Sequence, residues 1–332
     1  MPFIRTGRPL EKLVHKHLSS EIFLNSLISI GITCFNARDT IERAVRSALV
    51  QDWPALEVIV VDDCSSDGSW DILLGVADSE PRLHVFRHDT NKGYPGALNT
   101  IMQHAQGDFV AIFDDDDDNV PDRVSAQVER IIAHEDETGA ELVFCYANRN
   151  VVKGGQSAPD HISLAIGRMA PEPAGPEVAD FLLGVDATPG KVWGMFGSCT
   201  LMARRASFER VGPFDETFRR CAEWDLAVRA AFMGAHFIAV DRPLITMYKT
   251  PGADKSGSIP LKYALLLREK HRGYLDQRGL YQASRLIARS NFHGNKRHRF
   301  RSRLYRALAY LIAPRLLLDY LRRRLRKREM PT

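Results

Sequence analysis

The chain has 332 residues, 45% apolar, 26% charged and 9% aromatic; this excludes a disordered or low-complexity protein and leaves material for one large core or two units. Five cysteines are too few for a disulfide scaffold, and a reduced, intracellular setting is expected. The net charge of +4 hides an asymmetry: residues 291–332 hold 13 Lys/Arg against two acids, while the other 290 residues carry 32 basic and 39 acidic side chains. An acidic body with a basic tail is not the surface of a whole-protein nucleic-acid binder.

The N-terminal MPFIRTGRPLEKLVHKHL is charged where a secretory signal is apolar, and nowhere do about 18 apolar residues run uninterrupted. Neither export nor a membrane span is expected. Residues 27–34 (LISIGITC) and 56–61 (LEVIVV) read as buried strands. Between them Ile41, Ala44, Val45, Ala48 and Leu49 recur at helical spacing, with Asp39 and Glu42 at the spacing of a capping box and Pro54 beyond the end. A strand at 83–86, a helix with Ala97, Ile101, Met102 and Ala105 on one face, and a strand at 109–113 continue the alternation, which implies a parallel sheet.

A further helix turns Val124, Val128, Ile131 and Ile132 inward, and a strand at 141–146 completes an open α/β sheet over 27–146. Ligands of such sheets bind beyond the carboxyl ends of the strands. Residues 154–197 contain 13 Gly or Pro in 44 positions, so an irregular surface stretch is expected there. Regular pattern returns at 198–203, in a helix over about 223–233, and at 236–240, as cross-packing elements and not as an independent domain.

The five aspartates at 114–118 follow an apolar strand directly. Like charges so crowded call for a bound cation, and carboxylates suit Mg²⁺ or Mn²⁺; the run alone also reads as a solvated acidic turn. An EF-hand loop fails, because Asn119 and Ser125 stand where its Gly and Glu belong. A second acidic turn, VDDCSSDGS at 61–69, ends the second strand on the same sheet edge. By itself it fits ordinary turn and cap chemistry; with the first it outlines a pocket. Neither GxGxxG nor GxxxxGK[ST] occurs.

Taken together, ISIGITCFN at 28–36, VVDDCSSDGS at 60–69, NKGYPGALN at 91–99, GDFVAIFDDDD at 107–117 with Pro121 and Arg123, VGPFDE at 211–216, and EWDL at 223–226 through Arg229 resemble glycosyltransferase family 2. That resemblance implies the GT-A fold, a Rossmann-like open sheet with flanking helices, followed here by a basic helical C-terminal extension. It covers about residues 27–250: a nucleotide-sugar half at 27–150 and an acceptor half at 151–250, after an N-terminal extension at 1–26 and before a mobile loop and tail at 251–332. It implies inverting transfer of a sugar from a UDP-, GDP- or dTDP-linked donor to a carbohydrate or lipid-linked acceptor hydroxyl, in bacterial surface polysaccharide or glycolipid assembly.

Counting back from Pro121, the family's D-x-D-D falls on Asp114, Asp116 and Asp117, with Asp115 variable. The resemblance then gives Mn²⁺ or Mg²⁺ held by Asp116, with Asp114 bridging toward the ribose or sharing the metal's hydration shell. It assigns the nucleoside to Thr33, Phe35 and Asp63, the catalytic base to Glu223 with Asp225 as rival, and a lid over the diphosphate to 248–257 with Lys249. Trp224 reads as an acceptor-stacking ring or a core side chain.

A sugar nucleotidyltransferase shares the architecture but would open on a glycine-rich loop, which GITCFNARD is not. A catalytically inactive carbohydrate-binding relative would not need Asp114, Asp116 and an acid at 223. The cysteines read as core fillers, and no zinc set is present among them or the 11 histidines. In the tail, Leu304, Leu308, Leu311 and Ile312 line one helical face, and Leu318, Leu321 and Leu325 stand among arginines. Such a helix fits an anionic membrane surface, at the inner face of the plasma membrane for a cytoplasmic protein, or packs on the catalytic unit with its charges in water. No nucleic-acid reading motif accompanies it.

Overall fold

The structure, a computed structural model, describes residues 26–153, 158–186, 188–249 and 257–318. The first part is the expected strand–helix alternation: β1 (Ile28–Cys34), α1 (Ile41–Leu49), β2 (Leu56–Asp62), α2 (Ser69–Ala77), β3 (Leu83–Arg87), α3 (Tyr94–His104) and β4 (Phe109–Asp114). β1, β2, β3 and β4 pair in parallel in the order β3-β2-β1-β4. β1 and β2 are buried along their whole length, which is why they read as near-continuous apolar runs and not as alternating ones. Ile30, Val58, Val60, Ala111 and Phe113 pack toward α1 and α2 on one face, and Ile59, Val61, Val110 and Ile112 pack toward α3 on the other. Gly31 permits that approach, because a Cβ there would collide with Ile101 of α3.

After β4 come β5 (Asp118–Asn119), α4 (Arg123–Thr138), β6 (Val143–Val152), β7 (His161–Ser163), α5 (Pro176–Leu182), a 3₁₀ turn at Ser198–Thr200, β8 (Met202–Arg204), α6 (Arg205–Val211), α7 (Ala222–Phe232) and β9 (His236–Tyr248). Here the expectation of one parallel sheet over 27–146 is corrected. β6 does not join β4; the short β8 lies between them, antiparallel to both, and the sheet continues as β8-β6-β9-β5 with β7 paired to β6. The stretch at 198–203 divides into turn and strand, and β6 and β9 run beyond their expected ends at 146 and 240. Pairing explains the extensions, since residues 143–152 of β6 lie in register with 236–248 of β9 across a bulge at 147–149. The capping box at α1 is also absent: Thr40 is the N-cap without a side-chain bond, and Glu42 pairs with Arg46 at 2.6 Å.

The C-terminal helices α8 (Ile259–Lys270), α9 (Arg272–Gln277), α10 (Tyr281–Asn295) and α11 (Arg299–Ile312) follow. No helix among the described residues is long and apolar enough to cross a membrane. Asp225 of α7 holds them to the sheet domain. Fully buried, it accepts hydrogen bonds from Lys270 Nζ, His271 Nε2 and Arg229 Nε, each at 2.9 Å. Burial pushes its pKa up, but the bonds from His271 and Lys270 and the charge of Arg229 outweigh this and hold it at about 2. Because the folded value lies below the unfolded one, the contribution is present above about pH 4 and is lost as pH falls toward 2. Asp225→Asn is therefore expected to destabilise the chain by roughly 3 kcal/mol at neutral pH, with the deficit shrinking below pH 4; urea unfolding of both proteins across that range measures it.

Candidate active site

Strand register builds the site. β1 pairs with β4 so that Thr33 stands beside Asp114, and with β2 so that Cys34 stands beside Asp62. Both acidic turns thus meet at the carboxyl edge of the parallel strands, as the sequence indicated. They open onto a cavity of about 1720 Å³ whose lining includes Thr33, Phe35, Asp63, Asp67, Asp114, Asp115, Asp116, Arg149, Cys199, Glu223 and Trp224.

The aspartate run divides by partner. Asp115 accepts the backbone N–H of Phe35 at 3.1 Å, tying β1 to the turn, and burial pushes its pKa up to about 7. Asp118 is taken by Arg43 Nε at 2.7 Å and by the Tyr248 hydroxyl at 2.8 Å. Asp117 is fully buried, neither carboxylate oxygen has a hydrogen-bond partner among the described residues, and burial followed by the charges of Asp114 and Asp116 raises its pKa to about 8. Beneath the run Arg123 is completely buried, stacked on Phe113 at 4.1 Å and bonded to the Ile112 carbonyl and to Asn119. Its charge is the compensation in the floor of the site.

Metal-ligating atoms of Asp114, Asp117 and Cys199 lie within 4.8 Å of one another; Asp116 is outside this group, although it too lines the cavity. Crowded carboxylates, one of them, Asp117, with a raised pKa and two oxygens lacking donors among the described residues, fit a small divalent cation. Cys199 fits it less well, because burial drives its thiol pKa far up and a neutral thiol is a poor partner for a hard ion. Cys199 is nevertheless more than the core filler expected: it accepts Arg149 Nη1 at 3.1 Å. Arg149 rises from β6, and Asp117 and Asp114 add to the field that favours its charged form. No local pattern pointed to Arg149, since the insertion of β8 between β4 and β6 is what carries β6 to this position.

Glu223, near the start of α7, lies deep in the same cavity, partly accessible. Burial raises its pKa to about 7. Asp225, two residues on, points to the opposite side of the helix and does not line the cavity. Tyr94 also lines the cavity, its hydroxyl donating to Ser198 Oγ at 2.8 Å, and Arg219 reaches Asn91 Oδ1 at 2.8 Å.

Of the other expected residues, Thr33 is buried, and Phe35 presents a ring 50% exposed at the cavity. Asp63 is buried and accepts the backbone N–H groups of Lys92 and Gly93 at 2.8 and 2.7 Å, with His88 Nδ1 at 2.7 Å, so much of its bonding capacity holds the 91–93 turn. Lys249 is exposed, donates its backbone N–H to Val152, and is not among the cavity residues. The rest of the expected lid, 250–256, lies outside the described residues, as do Leu321 and Leu325. An opposite wall comes from the C-terminal helices, through Leu261, Ala264, Ile287, Phe292, Arg306 and Tyr310.

The comparisons agree with this architecture. The S. aureus TarS 1-349 structure in complex with UDP-GlcNAc superposes with a TM-score of 0.57 at 16% identity, over 88% of this chain and 83% of that one, which shows the fold to be of the GT-A type. Succinoglycan biosynthesis protein ExoU of Rhizobium meliloti is 31% identical over 63% of this chain and 58% of its own length. The UDP-Glc:alpha-D-GlcNAc-diphosphoundecaprenol beta-1,3-glucosyltransferase WfaP of Escherichia coli is 36% identical over 38% of this chain and 47% of its own. The chain spans 31–58% of the length of the curated relatives to which it is at least 30% identical. The profile of glycosyl transferase family 2 matches residues 29–209, and the chain belongs to that family.

Proposed function

We propose that the chain is an inverting glycosyltransferase that moves a sugar from a nucleoside-diphosphate donor to a carbohydrate or lipid-linked acceptor hydroxyl in bacterial surface polysaccharide assembly, on the cytoplasmic side of the membrane. The observation that carries this reading is that Glu223 lines the same cavity as Asp114, Asp115 and Asp116 while Asp225 is committed to Lys270, His271 and Arg229. UDP is the donor nucleotide most in keeping with the relatives, since WfaP by its name uses UDP-Glc and TarS was captured with UDP-GlcNAc.

In this reading residues 27–150 bind the donor. Phe35 offers its ring face to the base, Thr33 and Asp63 shape the nucleoside pocket, and Asp114 and Asp116, with Asp117 behind them, hold Mn²⁺ or Mg²⁺. The cation when bound supplies positive charge to the departing diphosphate. Lys249, just after the end of β9, is assigned to the diphosphate by its charge. Residues 151–250 serve the acceptor: Glu223 takes the proton of its hydroxyl as the oxygen attacks the anomeric carbon from the face opposite the leaving group. Burial suits Glu223 to this task, since a base with a pKa near 7 is both deprotonated and basic enough at cellular pH.

Glu223→Gln is expected to lower transfer by about a thousandfold while leaving donor binding, read by thermal shift with UDP-sugar and Mn²⁺, unchanged; retained turnover overturns the assignment. Since Glu223 acts deprotonated, the wild-type rate rises with pH through about 7 and levels off above it, and an acid limb missing from the rate profile would remove the base. Asp116→Asn and Asp114→Asn are each expected to lower Mn²⁺-dependent transfer about a hundredfold; a donor panel of UDP-, GDP- and dTDP-sugars read against both variants identifies the nucleotide.

A further inference from the structure

α11 buries one side and leaves the other bare. Ala309, followed by Ala313 and Leu316 just beyond the helix, faces the core at 5% exposure or less, whereas Phe300, Leu304, Leu308 and Leu311 are 79, 46, 39 and 76% exposed. Steps of four, four and three residues put these four on a single stripe of the helix, with Arg301 and Arg303 on its two borders. Beyond the break at Ala313, Leu318 is also exposed, at 54%. Residues 277–318 contain ten Lys or Arg and no Asp or Glu, and the sequence from 319 to 332 adds six more against two acids. A monomer in water rarely keeps such a stripe uncovered.

We propose that this face of α11 docks on an anionic lipid bilayer, its apolar stripe entering the boundary between headgroups and acyl chains while Arg301 and Arg303 pair with lipid phosphates. Charge complementarity selects this occupant. A second copy of the chain would set the same patch against itself, bringing the bordering arginines of both copies together with no acid from 277–318 to neutralise them. The other side of the helix gives the docking a purpose. Arg306 and Tyr310 line the cavity that holds Glu223, so the helix that would rest on the bilayer also forms part of the cavity wall, which keeps the cavity near the surface at which a lipid-linked hydroxyl would be offered. This last step rests on the transferase reading; the docking itself does not.

The test uses the full chain in flotation with vesicles of phosphatidylcholine alone and of phosphatidylcholine mixed with phosphatidylglycerol. Binding is expected to the mixed vesicles and to weaken about tenfold in both the Leu304→Glu/Leu311→Glu and the Arg301→Glu/Arg303→Glu double variants, with an unchanged circular dichroism spectrum and thermal midpoint as evidence of intact folding. Absence of wild-type binding, or equal binding of wild type and both variants, overturns the proposal. So does a dimer in light scattering that the leucine variant dissolves while vesicle binding persists. Docking that survives alongside absent donor hydrolysis and absent transfer to both soluble and lipid-linked acceptors would overturn the transferase reading and leave the docking supported.

Discussion

Everything at the carboxyl edge of this sheet answers to the repulsion among five successive aspartates at the end of a buried strand. The protein neutralises part of that charge with its own groups. Arg43 and Tyr248 take Asp118, the Phe35 amide takes part of Asp115, and Arg123 puts a buried cation beneath the turn. Asp117, buried behind Asp114 and Asp116, keeps a raised proton affinity and two oxygens without a hydrogen-bond partner among the described residues, which marks a place for positive charge. Carboxylates brought together in low dielectric repel strongly, which is the physical ground for the cation in the proposed function.

Glu223 and Asp225 show how a single helix assigns two acids opposite fates. Two positions apart, they project to opposite sides of α7. One enters the cavity, where desolvation outweighs the charges of Arg220 and Arg149 and lifts its pKa to about 7; the other is bonded by His271, Lys270 and Arg229 and is held near 2. The first can gain or lose its proton near neutrality, as the proposed base must, and the second is a permanent anion that fastens the C-terminal helices. Those helices then close the cavity on the side away from the acidic turns, so the stability of one carboxylate supports the environment of the other.

The C-terminal helices also join two surfaces of different character. Inward, α11 contributes Arg306 and Tyr310 to the cavity; outward, it exposes an apolar stripe bordered by arginine. A helix with this division connects the chemistry inside the cavity to whatever lies outside the stripe.

The amino-acid sequence by itself determined the β1–β4 half of the sheet and the meeting of its two acidic turns, because buried parallel strands and amphipathic helices write their periods into local composition and because strand ends dictate where a ligand can sit. The ordered motifs were enough to identify the family. Tertiary structure alone decided the rest: that β8 separates β4 from β6, that Arg149 and Cys199 therefore stand beside the aspartates, and that Glu223 faces the cavity while Asp225 faces Lys270 and His271. These are contacts across dozens of residues, set by antiparallel insertion and by the rotation of one helix, and no local pattern encodes which distant side chain will complete a site. The exposure of the leucine stripe is of the same kind, since an amphipathic period fixes which residues share a face but only packing determines which face is left to solvent.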